Sequence, residues 1–418
     1  MREMSDTCDV LIVGARCAGA ATAILLARAG LDVRLVDHAP GIGDTLSTHA
    51  LMRPGVAMLD RLGVLPRIVE AGTPAVTRTR FAYGRLQTVD IAVKPMGTAA
   101  GLYAPRRYLL DRLLCEAALA EGASLSLGTR FETVIRDRAG RVAGAELRLH
   151  DGSSRTLKAS LVVGADGRNS HVAQAVGAGT IRRDPRRAAM VFGYFDGIPN
   201  EGYRWLFDEG LQLGLIPTTG GRHCVFAACR PSEFQERLGD APLFGLARAL
   251  SPWAPGIAAD LIRSAGAERL RRFAGAPGHI RDCAGPGWAL VGDAGCFMDP
   301  ATAHGMTEAL LDAGRLASSW IAGQETLDDY RDRRRAQVGT IFAITQRIAS
   351  FDWNLDDLTA LHRDLNEAMR SELADIDENL PPASLATSAW RAGSDRPAAL
   401  GGGIAADSLG DLARGGIS

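Results

Sequence analysis

Three segments of the chain each run from a hydrophobic stretch into a turn of glycine and aspartate: Val10 to Gly30, Leu161 to Val172 and Ala289 to Gly314. In the first, Gly14 and Gly19 bracket Arg16, Cys17 and Ala18. A strand-to-helix corner of this kind brings backbone amides to a phosphate, the outer glycines allowing the tight bend and the packing of helix on strand. Arg16 replaces the middle glycine, so its side chain must point away from the phosphates or fold back to pair with them. Asp37 ends the next strand and offers a carboxylate to a ribose. Asp166, in the turn Gly164-Ala165-Asp166-Gly167, either caps the following turn or reaches a cofactor. Asp293 closes the third strand with a carboxylate for a ribose or ribityl hydroxyl, and Pro300 ends the loop after it. His304-Gly305-Met306 then opens a helix whose amides suit the electron-rich edge of a reduced ring. Three such corners exceed what a nicotinamide domain requires.

Arg107 stands at the start of a helix, where it suits a phosphate or pairs with Asp111 one turn on. Thr45, in the loop from Gly41 to Thr48, completes the expected cofactor set. The eight histidines show no HxxxH or HxH spacing, and no metal site is expected. His49 and His304 are the two expected near the ring, as weak acid/base candidates or as polar lining. Cys296 reads as a small buried residue or as a thiol close to the cofactor.

The elements that must position these residues follow from hydrophobic pattern. Cys8 to Val13 reads as a buried parallel strand, Ala18 to Ala29 as a helix, Val33 to Asp37 as the next strand and Arg53 to Leu62 as a helix. Val76 to Val93 alternates like an antiparallel pair, and Tyr108 to Ala120 is helical. A meander from Ser124 to Leu149 returns through Leu157 to Val163. Met190 to Ile198, Tyr203 to Ile216 and His223 to Arg230 read as strands that join Val76 to Val93 in one antiparallel sheet. Leu327 to Ala374 reads as polar helices, and the Pro, Ser, Ala and Gly beyond Leu380 as a mobile tail.

Length and composition bound the rest. A chain of 418 residues with 46% apolar content fits two connected domains. Its 47 basic and 48 acidic side chains leave no field that would steer it to nucleic acid. Seven scattered cysteines without a CxxC pair argue against a disulfide framework and fit a reducing cytoplasm. No apolar run is long enough to span a bilayer. The oligomeric state stays open.

On Gly14, Gly19, Asp37, Arg107 with Leu110-Asp111, Asp166-Gly167 with Ser170, and Gly292-Asp293 with Pro300, Gly305 and Met306, the chain resembles the flavoprotein monooxygenases of the para-hydroxybenzoate hydroxylase type. Their wider superfamily also holds geranylgeranyl reductases and flavin-dependent halogenases. The resemblance implies an α/β fold: a Rossmann-like FAD-binding domain from residues 1–75, 101–185 and 280–325, and an antiparallel β-sheet substrate domain from 76–100 and 186–279. A helical C-terminal extension over 326–380 and a flexible tail over 381–418 complete it. It implies FAD as cofactor and NADPH or NADH as electron donor, with Asp293 on the ribityl chain, Arg107 near the pyrophosphate and Asp37 on the adenosine. The activity implied is hydroxylation of a small, aromatic substrate with O2 through a flavin C4a-hydroperoxide. Hydride transfer at flavin N5, as in geranylgeranyl reductases, and a non-catalytic flavin redox sensor are the alternatives. Two features depart from the pattern: Ala173-Gln174 stands where an arginine follows the central motif, and Gly295-Cys296 stands where the third segment has Ala-His. Lys94 and Lys158 are the chain's lysines, and neither has the setting that halogenation requires.

Overall fold

In the computed structural model, residues 6–379 are described except 46, 240, 264–269 and 324–326. The expected tail therefore lies outside the described residues. The chain opens with β1 (Thr7–Val13), α1 (Cys17–Arg28) and β2 (Val33–Asp37), within a residue of the sequence expectation. β1 and β2 pair in parallel, and α1 is buried on nearly every side, as its Ala/Leu composition requires. Helices α2 (Arg53–Arg61) and α3 (Leu65–Glu70) lead to the hairpin β3 (Arg78–Tyr83) and β4 (Gln87–Ala92), and α4 (Arg107–Ala120) returns the chain beside α1. Strands β5 (Ser124–Leu127), β6 (Arg130–Arg136), β7 (Val142–Arg148) and β8 (Ser154–Gly164) follow. β5 leaves the expected meander to pair in parallel with β2, and β8 pairs in parallel with β1.

After α5 (His171–Val176) come β9 (Thr180–Asp184), β10 (Ala189–Phe195), β11 (Tyr203–Asp208), β12 (Leu211–Pro217) and β13 (His223–Cys229). The expected single strand from Tyr203 to Ile216 is thus two, folded back at Glu209-Gly210, where Gly210 takes a φ of 69°. The sheet built on them runs β14-β10-β13-β12-β11-β3-β4, with β14 at Arg271–Phe273. It is antiparallel except where β3 and β11 pair in parallel, a correction to the expected all-antiparallel sheet: a long excursion from 84 to 202 separates those two strands, so no hairpin sets their direction. One face carries Phe192, Tyr194, Trp205, Phe207 and Phe226 into the main core. The other, with Val191, Leu206, Leu213 and Val225, is covered by α6 (Phe234–Leu238), α7 (Pro242–Leu250) and α8 (Pro255–Arg263).

The chain then adds β15 (Gly278–Arg281), β16 (Ala284–Gly285), β17 (Trp288–Leu290) and β18 (Cys296–Phe297). β17 lies beside β8, so the first sheet reads β16-β17-β8-β1-β2-β5 with β7 and β6 attached at β8. All three Gly/Asp corners therefore leave neighbouring parallel strands at the same end of one sheet. Helices α9 (Gly305–Ile321), α10 (Asp328–Ile348) and α11 (Leu355–Asn379) follow, α9 packing on α1 and α10 on α11. Among the described residues no helix is long and apolar enough to cross a membrane.

Candidate cofactor and substrate site

A single cavity of about 710 Å³ joins the three corners. Gly14, Arg16, Cys17, Ala18, Asp37, Thr45, Arg107, Asp166, Asp293, Pro300, Gly305 and Met306 all line it, twelve of the thirteen expected cofactor residues. Gly19 is the other, and its role is packing: a Cβ there would fall 1.8 Å from the Gly14 carbonyl oxygen. Gly14 itself has a φ of 108°, and a Cβ on it would meet the Ala165 carbonyl at 2.4 Å.

The cavity suits a dinucleotide in its donors. Arg16, at the N-cap of α1, and His304, at the N-cap of α9, are extended and helical respectively, and neither gives a side-chain cap. First-turn amides at both helices are thus left for a ligand. Asp37 is buried and braced, accepting the Ala15 and Ala39 amides at 2.8 Å each. The Asp293 carboxyl is pushed up to about 6 by burial, which the cations Arg107 and Arg168 only partly offset.

Several side chains take the intramolecular partners that the sequence left open beside a cofactor role. Arg107 spans to Asp111 with contacts of 3.0–3.2 Å, so the intrahelical pair forms while the side chain still borders the cavity. Arg16 folds to the same carboxylate at 3.0 Å and to the Gly43 carbonyl at 2.7 Å. Cys17 also donates to Asp111, which makes this buried acid the hub that holds the first corner. Asp166 caps α5, accepting the His171 and Val172 amides at 2.7 and 3.2 Å.

His49 and His304 do not line the cavity. Both are fully buried behind it. His49, left-handed at φ 65°, bonds through Nε2 to Tyr194 Oη, and burial pulls its ring down to about 3. His304 Nε2 meets Glu372 of α11 at 2.9 Å. Cys296 is buried, its thiol pushed well up by that burial, and it too stands outside the lining. An apolar stretch of the wall comes from Met190, Phe192, Phe273, Phe297 and Met298, and a polar one from Ser47, Thr48, Thr129 and Arg130. Arg168 spans the exposed edge, 5.5 and 5.7 Å from the Phe273 and Phe297 rings.

Residues 7–203 match the FAD binding domain family. The menaquinone reductase of Mycolicibacterium smegmatis is 30% identical over 349 residues, 78% of this chain and 79% of that one. The chain belongs to the FAD-dependent oxidoreductase family that these proteins define. The flavoprotein is also 26% identical to the digeranylgeranylglycerophospholipid reductase of Methanosarcina mazei, over 75% of each chain. Among solved structures it shares its fold with PqsL of P. aeruginosa, solved with 2-aminobenzoylacetate, at a TM-score of 0.68 and 23% identity over 87% of this chain and 100% of that one. The flavin-dependent brominase Bmp2 gives the same score and coverage at 16% identity.

Proposed function

We propose that the flavoprotein is a reductase that adds hydride and proton across an unsaturated bond of an apolar substrate, with NADPH or NADH as electron donor. The observation that carries this reading is the wall formed by Met190, Phe192, Phe273, Phe297 and Met298, apolar throughout. Such a patch holds a hydrocarbon by area and excludes water, while polar lining such as Ser47, Thr48, Thr129 and Arg130 lies elsewhere in the cavity. The reductase names of the relatives support it.

Bound FAD supplies hydride transfer. The chain's own residues supply the rest: Asp37 holds a ribose, the first turns of α1 and α9 face phosphate and ring, and the methionine and phenylalanine wall sets the substrate's distance. Arg168 covers the exposed edge of that wall.

Hydroxylation of an aromatic substrate is the second reading. The observation that favours it is the buried Tyr194–His49 pair behind Ser47 and Thr48 of the wall, with the Arg106 guanidinium 3.5 Å over the Tyr194 ring. Tyr194 Oη also donates to the Ser47 carbonyl at 3.3 Å, so the pair sets a hydrogen-bonding group behind the wall where a phenol's hydroxyl would be received.

Anaerobic turnover separates the two. With NADPH or NADH and a menaquinone or geranylgeranyl lipid as probe, product carrying two added hydrogens is expected without O2. A strict requirement for O2, with its oxygen in the product, replaces reduction by hydroxylation. Flavin that cycles with no substrate converted leaves the redox sensor.

A further inference from the structure

His304 and Glu308 lie four residues apart at the start of α9, a spacing that puts both side chains on one helix face. Glu372 of α11 meets them from across the helix interface. All three are buried, and one nitrogen or oxygen from each lies within 4.8 Å of the other two. His304 Nε2 and Glu372 Oε1 are 2.9 Å apart. Two donors each about 2.1 Å from a metal ion are separated by about 3 Å at the right angle of an octahedral site and about 3.4 Å in a tetrahedral one, so a small parting of this pair admits an ion. Glu308 Oε2 and Glu372 Oε2 are buried without a hydrogen-bond partner among the described residues. Polar atoms left in that state call for an unseen guest.

The surrounding charges give the guest's sign. Glu308, Asp312, Glu372 and Asp375 bring four carboxylates to this cluster, while Arg315 and Arg334 bring two guanidiniums. Arg315 already holds Glu308 Oε1 at 2.9 Å, which leaves Oε2 as the outward donor. With a neutral imidazole, the cluster is two positive charges short.

We propose that His304, Glu308 and Glu372 bind one divalent cation of the class that accepts mixed imidazole and carboxylate ligands, such as Zn2+ or Mn2+. The ion takes the place of the proton shared by His304 and Glu372. It supplies the two missing charges and clips the first turn of α9, whose Gly305 and Met306 border the cavity, to the C-terminal helix α11. The positive end of the α9 dipole opposes a cation only weakly, and Glu308 in the first turn offsets it.

The test uses the full chain with its flavin. Metal content is measured by mass spectrometry on protein purified without chelator, and chelator-stripped protein is titrated calorimetrically with Zn2+ and, separately, Mn2+. One equivalent bound per chain, a melting temperature raised by several degrees, and a loss of affinity of about tenfold or more in Glu372→Gln are expected. Glu308→Gln serves in its place if that variant does not fold. No retained metal, with neither heat nor a melting shift on adding either ion, overturns the proposal and assigns the missing charge to protons. Binding of unchanged affinity in a folded variant overturns it as well.

Discussion

At the scale of single residues, the first corner shows how little space the cofactor loop leaves. Gly14 and Gly19 stack against each other and against Ala165, so the loop from β1, the turn into α1 and the turn after β8 touch through backbone and the Ala165 methyl. In Gly19→Ala, the new Cβ would fall 1.8 Å from the Gly14 carbonyl oxygen, so backbone and not a flexible side chain must give way. Overpacking of this kind costs about 1–3 kcal/mol. The expected outcome is a lower melting temperature and protein that leaves gel filtration without flavin absorbance; a yellow variant as stable as the parent would disprove the stacking account. Asp37 illustrates the opposite economy, since the carboxylate that awaits a ribose also ties down the Ala15 amide of the first corner and the Ala39 amide of its own turn. Arg16 could not be resolved from sequence for a plain reason: its partner Asp111 lies 95 residues away, and no local pattern connects them.

At the scale of elements, whatever depended on hydrophobic period was legible. β1, α1, β2, β8 and the strand and helix around Asp293 follow from their apolar runs, and with them come ten of the twelve lining residues, Thr45 and Arg107 standing in the loop after β2 and at the start of α4. The β11–β12 hairpin reads as one strand because alternation continues across its turn, with Glu209 as the one break in the series Tyr203, Trp205, Phe207, Leu211, Leu213 and Leu215. Helices α6, α7 and α8 escaped notice because they are short and their apolar residues have meaning only against the outer face of a sheet formed elsewhere. α11 carries a similar long-range contact. Its His362 packs among Phe81, Tyr83 and Phe207, with Nδ1 2.7 Å from Tyr83 Oη, and burial pulls its ring from 6.5 down to about 4. The unfolded chain then takes up a proton that the folded one refuses, so stability falls as pH drops from 6.5 toward 4. His49, His223 and His279 add slopes of the same sign, and Asp293 and Asp299, raised by burial, add slopes of the opposite sign. A difference measurement isolates His362. His362→Phe is expected to be less stable than the parent at pH 7 and to close that gap by pH 4.5 in thermal melts; a gap that stays constant would rule the linkage out.

At the scale of the whole molecule, the third corner is held from behind by a helix that lies beyond the 7–203 stretch matched to the FAD binding domain family. α10 donates from Tyr330 Oη to the Leu290 carbonyl at 2.6 Å, accepts the Asp299 amide at Gln346 at 3.1 Å, and meets Thr302 through Thr345 at 3.0 Å. Its strongest link is ionic. Arg334 Nε grips both oxygens of Asp312 at 2.8 and 3.0 Å, and Asp312 in turn accepts the amide of Gly292, the residue before Asp293. All of this takes place without solvent, so removing one partner strands the other: Arg334→Met should cost about 3–5 kcal/mol, far more than a surface ion pair would. Its effect should also reach the cavity, because an Asp312 carboxylate deprived of Arg334 must find another cation, and Arg315 Nη1 at 3.6 Å is the nearest. A shift toward Arg315 draws the carboxylate off the Gly292 amide and loosens the turn that presents Asp293. The double variant Arg334→Met with Asp312→Asn keeps an acceptor for Gly292 and buries no unpaired charge. It should therefore recover most of the lost stability and retain flavin where the single variant releases it. Equal flavin loss in the two would mean that the Arg334 side chain supports the corner by its bulk against Gly295, where its guanidinium lies about as close as a Cβ would allow, and not by its charge.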